Sequence, residues 1–254
     1  MEPVGGSEAQ RFTHVSATFV IFGENMKRIF KFLFIKLPLA YIVLSVLLVV
    51  AFKWVPVKYT PLMLKRAVEY AGDDKYEFRR EWVKAAGISP NVRKCAIASE
   101  DNRFAEHGGF DFEEMQKMQK AHEKKGKKIR GCSTISQQTA KNVFTFGSRT
   151  MARKALEAYY TVLIEIVWGK ERIMEVYLNV AETGKGIYGI EAAARNYFGR
   201  SARKLNMDQS AYIVAVFPNP IKWNPARPTN YLTKRHNAII SLTHKLAYPE
   251  WVTK

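Results

Sequence analysis

Two adjacent acids, Glu100 and Asp101, close the apolar run Cys95-Ala96-Ile97-Ala98 and are followed by a ring at Phe104 and an imidazole at His107. Upstream, Ser89-Pro90 spells an N-cap followed by proline at the first helical position, so a helix is expected to run from there and end near Glu100. A carboxylate at a helix C-terminus faces the negative end of the dipole. If it is also partly buried it holds its proton more tightly, which suits a general base. The same acid pair is compatible with a plain solvated face, and a histidine such as His107 with a structural hydrogen bond.

The second cluster is Gly131-Cys132-Ser133-Thr134-Ile135-Ser136-Gln137-Gln138-Thr139-Ala140-Lys141-Asn142. Thr134 and Gln137 have the spacing of a capping box, which starts a helix near Thr134. On that helix Gln137 and Lys141 share one face, and Gln138 and Asn142 the adjacent one. Amides and hydroxyls hydrogen-bond sugars, and Lys141 offers a point charge for phosphate; a capped helix with a polar solvent face is the alternative. The third cluster places Arg149, Arg153 and Glu157 at steps of four, with Lys154 beside them. Two guanidinium groups on one stripe could clamp a diphosphate, while Arg153 and Glu157 could equally form an ordinary surface pair.

The elements that must position these groups are mostly helical. A helix from about Arg149 to Trp168 carries a broad apolar face that includes Leu156, Tyr160, Leu163 and Ile166, and another begins just after Gly169. Gly184, Gly186 and Gly189 mark a tight loop before a helix over Glu191 to Tyr197. Pro218, Pro220, Pro225 and Pro228 make the later stretch irregular. The basic run His122 to Arg130 reads as an exposed loop. Strand-like alternation is scarce, so the expected class is mainly α.

With 254 residues and 47% hydrophobic content, the chain can hold one catalytic domain plus an accessory segment. A formal charge of +17 calls for a polyanionic partner: nucleic acid, anionic lipid or a diphosphate-bearing substrate. Cys95 and Cys132 are too few for a metal framework or a disulfide scaffold and read as packing residues. Leu37 to Phe52 carries no charge, and with Phe32 to Ile35 it reaches the roughly 20 residues a membrane-crossing helix needs. A cleaved signal peptide is the competing reading. Lys27, Arg28, Lys31 and Lys36 put the N-terminal side in the cytoplasm by the positive-inside tendency and the remainder outside. The expected division is a cytoplasmic tail over 1–32, a transmembrane helix over 33–55, a juxtamembrane connector over 56–87 and a catalytic domain over 88–254.

Taken in order, these stretches resemble the monofunctional biosynthetic peptidoglycan transglycosylases and the glycosyltransferase domain of class A penicillin-binding proteins. SEDNRFAEHGGFD is similar to the family's E-D-x-x-F-x-x-H-x-G motif, and GCSTISQQTAKNVF to its G-x-S-T-I-x-Q-Q-x-x-K-N motif. RKALE, KERIMEVYLN, GKGIYGIEAAARNYFG and QSAYIVAVFPNPIKWNP follow with the family's spacing, so the resemblance covers roughly Ser89 to Tyr231.

The resemblance implies a lysozyme-like helical fold and polymerisation of lipid II into β-1,4-linked glycan with inversion and release of polyprenyl diphosphate. It makes Glu100 the base and Glu157 the second catalytic glutamate, which orients the cationic cluster or stabilises positive character on the donor sugar. It also implies substrate contacts from Asp101, Phe104, His107, Ser133, Thr134, Gln137, Gln138, Lys141, Asn142, Arg149, Arg153 and Lys154. No cofactor is obligatory on this reading, and a Mg or Mn ion at the diphosphate stays open. The expected partners are lipid II, the growing glycan, membrane phospholipids and proteins of cell-wall synthesis and division, not nucleic acid. A lytic, glycan-cleaving enzyme of similar fold is the nearest alternative, and a diphosphate clamp speaks against it; a catalytically silent membrane scaffold would leave the acids and amides without a role. Ser201-Ala-Arg-Lys204 spells a transpeptidase nucleophile, but only about 50 residues follow and no K-T-G appears, so it is expected to be a surface turn.

Overall fold

The structure is a computed structural model that describes residues 26, 28, 30–74, 76–125, 133–147 and 150–254. The tail before residue 26, Cys132, Arg149 and the 126–130 part of the basic run lie outside the described residues. The chain forms two compact units, Met1–Val49 and Val50–Lys254.

The first unit contains most of the apolar segment. A π-helical turn, Phe32–Lys36, leads into helix α1, Leu37–Phe52. Together they give 21 residues of mean hydropathy 2.5, long and apolar enough to cross a membrane. Leu39, Ile42, Leu44 and Leu47 are exposed, so the helix is apolar on faces that no protein covers. A helix with that pattern is at home in hydrocarbon.

The second unit is mainly α-helical. Helix α2 (Pro61–Glu69) is capped by Thr60 and precedes a two-residue strand β1 (Arg79–Arg80). Helix α3 (Pro90–Glu100) begins as its sequence dictates, with the Ser89 hydroxyl accepting the Asn91 N–H and Pro90 at the first position. Val92, Cys95, Ala96, Ile97 and Ala98 are all buried in it, so α3 is a core helix. It stops because Asp101 leaves the helical region, with φ −165° and ψ 83°. Helix α4 (Phe112–Lys125) follows, and the Asp111 carboxylate accepts the Glu114 N–H at its start. This corrects the loop expected over His122 to Arg130: His122–Lys125 continue α4.

Helix α5 (Ile135–Phe144) has the full capping box at Thr134 and Gln137. Helix α6 (Met151–Val167) packs along it, with Phe144 and Tyr160 stacked at 4.3 Å between ring centroids. Helix α7 (Lys170–Val180) starts at Gly169, and its residues Ile173, Met174, Val176, Tyr177 and Leu178 fill the core between its neighbours. Strands β2 (Glu182–Gly184) and β3 (Ile187–Tyr188) complete a small sheet of order β1-β3-β2, parallel between β1 and β3 and antiparallel between β3 and β2. Gly189, at φ +81°, makes the turn into helix α8 (Ile190–Phe198); a Cβ there would come within 2.7 Å of the Asn179 carbonyl oxygen. Helices α9 (Met207–Ala215), α10 (Asn230–Thr243) and α11 (Glu250–Thr253) pack against α3.

Residues 56–87 are tied to the later elements by specific bonds. Arg66 on α2 forms a two-pronged pair with Glu182 at the start of β2, at 3.1 and 3.3 Å. Asn179 bonds both the N–H and the carbonyl of Val83, at 2.9 and 2.8 Å. Ser201-Ala-Arg-Lys204 contains a short 3-10 turn, Ala202–Lys204, whose Ala202 N–H is held by Glu191.

Candidate active site

The end of α3 projects Glu100 into a cleft of about 410 Å³. One side of the cleft is made by the end of α3 and the loop after it, through Ser99, Glu100, Asp101, Asn102 and Arg103. Ser133 and Thr134, before α5, form a second side, and Asp111 with Glu114, Lys117 and Met118 of α4 forms the third. The Glu100 side chain is only 12% exposed, and its oxygens are oriented unequally. Oε1 accepts from the Ser99 hydroxyl at 2.7 Å and the Arg235 guanidinium at 3.1 Å, whereas among the described residues Oε2 accepts a single long bond, from the Gln138 amide at 3.2 Å. Oε2 therefore keeps lone-pair capacity for a substrate proton.

Asp101 and His107 build the frame behind this carboxylate. Gly109 donates its N–H to His107 Nδ1, which leaves Nε2 as the ring nitrogen that donates to buried Asp101 at 2.9 Å. Asp101 also accepts the Ile135 N–H at 3.0 Å, fixing the loop to the positive end of α5. Thr134 reinforces the joint by donating to the Gly109 carbonyl at 2.7 Å. Phe104 is fully buried, edge-on to His107 and Trp251, with the Lys170 ammonium 4.6 Å from its centroid. Lys170 in turn bonds the His107 carbonyl and Glu165, and Glu165 accepts from Ser136.

The cationic side lies on α5 and α6. Glu157 has a side chain only 3% exposed, and it pairs with Arg153 at 2.7 Å and with Lys154. Lys141 is exposed on α5. Desolvation lowers its pKa most, Arg153 and Lys154 lower it further, and Glu157 and Glu100 act in the opposite direction. Lys141 thus feels both acids, which makes Glu100 and the cations one electrostatic cluster. Gln138 links the cluster to the core, because its carbonyl accepts from the Tyr177 hydroxyl at 3.3 Å. Burial pushes the Tyr177 hydroxyl well above the ordinary tyrosine range, with Glu100 and Asp101 adding to it, so it stays a neutral donor.

Of the residues singled out in the sequence, Glu100, Asp101, Ser133 and Thr134 line the cleft, and Gln138 and Lys141 reach Glu100 by a bond or by charge. Arg153, Lys154 and Glu157 group on α6, whereas Phe104 is buried, His107 bonds Asp101 and Gln137 completes the capping box. Asn142 is half-buried on α5. The sequence reading does not single out Arg235, which stands 135 residues from Glu100, or the cleft residues Asn102, Arg103, Asp111, Glu114, Lys117 and Met118. Asp111 had a readable signal, the capping spelling Asp111-x-x-Glu114; Arg235 had none.

Asp101, His107 and Asp111 bring ligand atoms within 4.8 Å of one another. They do not fit an open metal site. His107 Nε2 is directed at Asp101, and Asp111 already accepts from Arg103 and from the Glu114 N–H. On the cationic side, Glu157 is likewise spent on two cations.

The site thus combines a carboxylate in a cleft, with one lightly bonded oxygen, and a lysine that interacts electrostatically with it and with the Glu157 cluster. Residues 65–244 match the model of the transglycosylase family. The chain is 51% identical over 199 residues to a biosynthetic peptidoglycan transglycosylase of Bacteroides thetaiotaomicron, covering 78% of this chain and 80% of that protein. Proteins of the same name from Caulobacter vibrioides and Bdellovibrio bacteriovorus are 48% and 47% identical, over 85% and 82% of this chain and 92% and 83% of theirs. The chain belongs to the transglycosylase family, and its helical unit has that family's lysozyme-like fold.

Proposed function

We propose that this chain is a membrane-anchored peptidoglycan glycosyltransferase that polymerises lipid II into β-1,4-linked glycan, with Glu100 as base and Lys141, Arg153 and Lys154 as the anion clamp. The observation that carries the reading is the joint placement of Glu100 in the cleft and Lys141 within electrostatic range of both Glu100 and Glu157. A sugar alcohol is far too weak an acid to ionise first, so Glu100 Oε2 takes the acceptor's proton as its oxygen closes on the donor anomeric carbon. The anomeric bond to phosphate breaks at the same time, its electron pair stays on the departing diphosphate, and the configuration inverts. That diphosphate needs charge neutralisation more than a proton. Arg153 spends one N–H on Glu157 and keeps further donors for phosphate, so Glu157 orders the clamp without exhausting it. Arg149 joins the clamp by resemblance. No step is routed through a divalent ion.

Residues 33–55 span the bilayer in this reading, with 1–32 in the cytoplasm, 56–87 as the membrane-proximal connector and 88–254 as the catalytic part on the outer face. Family similarity already begins at residue 65, inside the connector. Both substrates carry polyprenyl tails, so anchoring confines enzyme and substrates to one plane. The test is Glu100→Gln in the full chain with lipid II in detergent. The amide keeps the hydrogen-bonding shape but cannot accept the proton, so binding should persist while polymer formation falls by about three orders of magnitude or more. Strand synthesis near the wild-type rate would refute the assignment.

A further inference from the structure

Nearly every charge lining the Glu100 cleft is already spent. Asp101 accepts from His107 and the Ile135 N–H, and Asp111 accepts from Arg103 and the Glu114 N–H. Arg103 divides its guanidinium among Glu106, Asp111 and Glu113. The exceptions stand on α4. Glu114 and Lys117 both line the cleft, both are exposed, and neither has an ion-pair partner among the described residues. With Met118 they occupy positions i, i+3 and i+4, which is one face of a helix. That face is the wall that α4 gives to the cleft.

We infer that Lys117 is an affinity-determining contact for an anionic group of the acceptor substrate. The inference rests on the reading that Glu100 deprotonates the acceptor hydroxyl. None of Lys141, Arg153 and Lys154, the cations assigned to the donor diphosphate, lines this cleft. The room on the α4 side of Glu100 is therefore left for the molecule whose hydroxyl Glu100 must touch. That molecule is anionic at its own diphosphate and at the carboxylates of its stem peptide. An unspent ammonium is a point charge able to meet either oxygen set. Glu114, one turn earlier on the same face, repels an anion from its own end and so confines it to the Lys117 end.

The experiment uses the full chain in detergent, with a lipid-linked tetrasaccharide held at saturation as donor and lipid II varied as acceptor. Wild type, Lys117→Met and Lys117→Arg are compared. Lys117→Met should raise the acceptor KM on the order of fivefold to tenfold, a modest effect because the site is exposed. Its donor KM should change far less, and Lys117→Arg should restore most of the loss. Repeating the series with stem-peptide carboxylates amidated separates the two sources of charge. A Met-to-wild-type ratio that collapses to about one names the carboxylates, and an unchanged ratio names the diphosphate. Equal acceptor KM values for wild type and Lys117→Met with both substrates would overturn the inference, as would a rise confined to the donor KM. A wild-type chain that makes no polymer from lipid II would instead sink the underlying reading.

Discussion

Arg235 offers the sharpest test of how the base is held. Its Nη2 donates to Glu100 Oε1 at 3.1 Å and to the Ser99 hydroxyl at 2.8 Å, while its Nε donates to the Ala215 carbonyl at 3.1 Å. The guanidinium thus ties the end of α3 to the end of α9 and leaves Oε2 as the receptive oxygen. Arg235→Ala removes one charge-assisted bond to the base and leaves only Ser99 on Oε1. Such a bond contributes roughly 1.5–3 kcal/mol, and both side chains are less than a third exposed, so solvent screens it only partly. If the full amount is lost in the transition state, kcat falls by about 10-fold to 150-fold. The KM for lipid II should change by less than about threefold, because Arg235 is assigned no substrate contact.

The assay is initial-rate polymerisation of lipid II by the full chain in detergent, with and without added guanidinium ion. Arg235→Lys should recover part of the loss, since an ammonium can reach one acceptor but cannot serve Ser99, Glu100 and Ala215 together. Free guanidinium should rescue Arg235→Ala and leave Arg235→Lys nearly unchanged. A fall in folding alone would not respond to added guanidinium. If Arg235→Ala polymerises within about twofold of wild type, the carboxylate is held by other means and the positioning argument fails.

Two further outcomes follow from the same geometry. Lys141 holds its proton less tightly than an ordinary lysine, and in the proposed mechanism only its protonated form neutralises the leaving diphosphate; kcat/KM should therefore fall as pH rises through its lowered pKa. Lys141→Arg, which stays charged, should move that alkaline limb upward, and an identical limb in both proteins would detach Lys141 from the clamp. Thr134→Ala removes the cap of α5 and the bond to the Gly109 carbonyl, a loss of about 2–4 kcal/mol that should appear as a Tm lower by about 5–10 °C. Thr134→Ser should keep most of that stability; equal Tm values for Thr134→Ala and wild type would show that the joint carries no strain-bearing role.

What could be read in the sequence depended on how local its cause was. The starts of α3, α5 and α7 were legible because Ser89-Pro90, the Thr134 to Gln137 spacing and Gly169 act within one turn of chain. The pairing of Arg153 with Glu157 was also local, four residues apart on α6. The run His122 to Arg130 deceived because its charge resembles a loop, whereas the helix is set eleven residues earlier, by Asp111 at the start of α4. Arg235 was not legible at all. It lies on a helix distant in sequence, and only the packing of α10 and α9 against α3 brings it to Glu100. Arg66 and Glu182, which fasten α2 to the sheet across 116 residues, were hidden for the same reason.

The cluster also explains why one lysine serves a reaction in which charge moves. Before transfer in the proposed mechanism, Glu100 is an anion and the donor diphosphate carries one negative charge fewer than after departure. When the acceptor proton reaches Oε2, Glu100 loses its charge; the electron pair of the broken anomeric bond gives that same unit of charge to the diphosphate. The total around Lys141 is therefore constant, and only its position shifts, from the carboxylate to the diphosphate. Lys141 interacts electrostatically with Glu100, Glu157, Arg153 and Lys154, a preorganised arrangement of the kind that stabilises moving charge. Glu157, itself buried, pairs with both Arg153 and Lys154 and so helps to order them. A neutral residue in place of Lys141 would leave Glu100 to Arg235 and the diphosphate to Arg153 and Lys154, removing the one cation that the proposed mechanism couples to both.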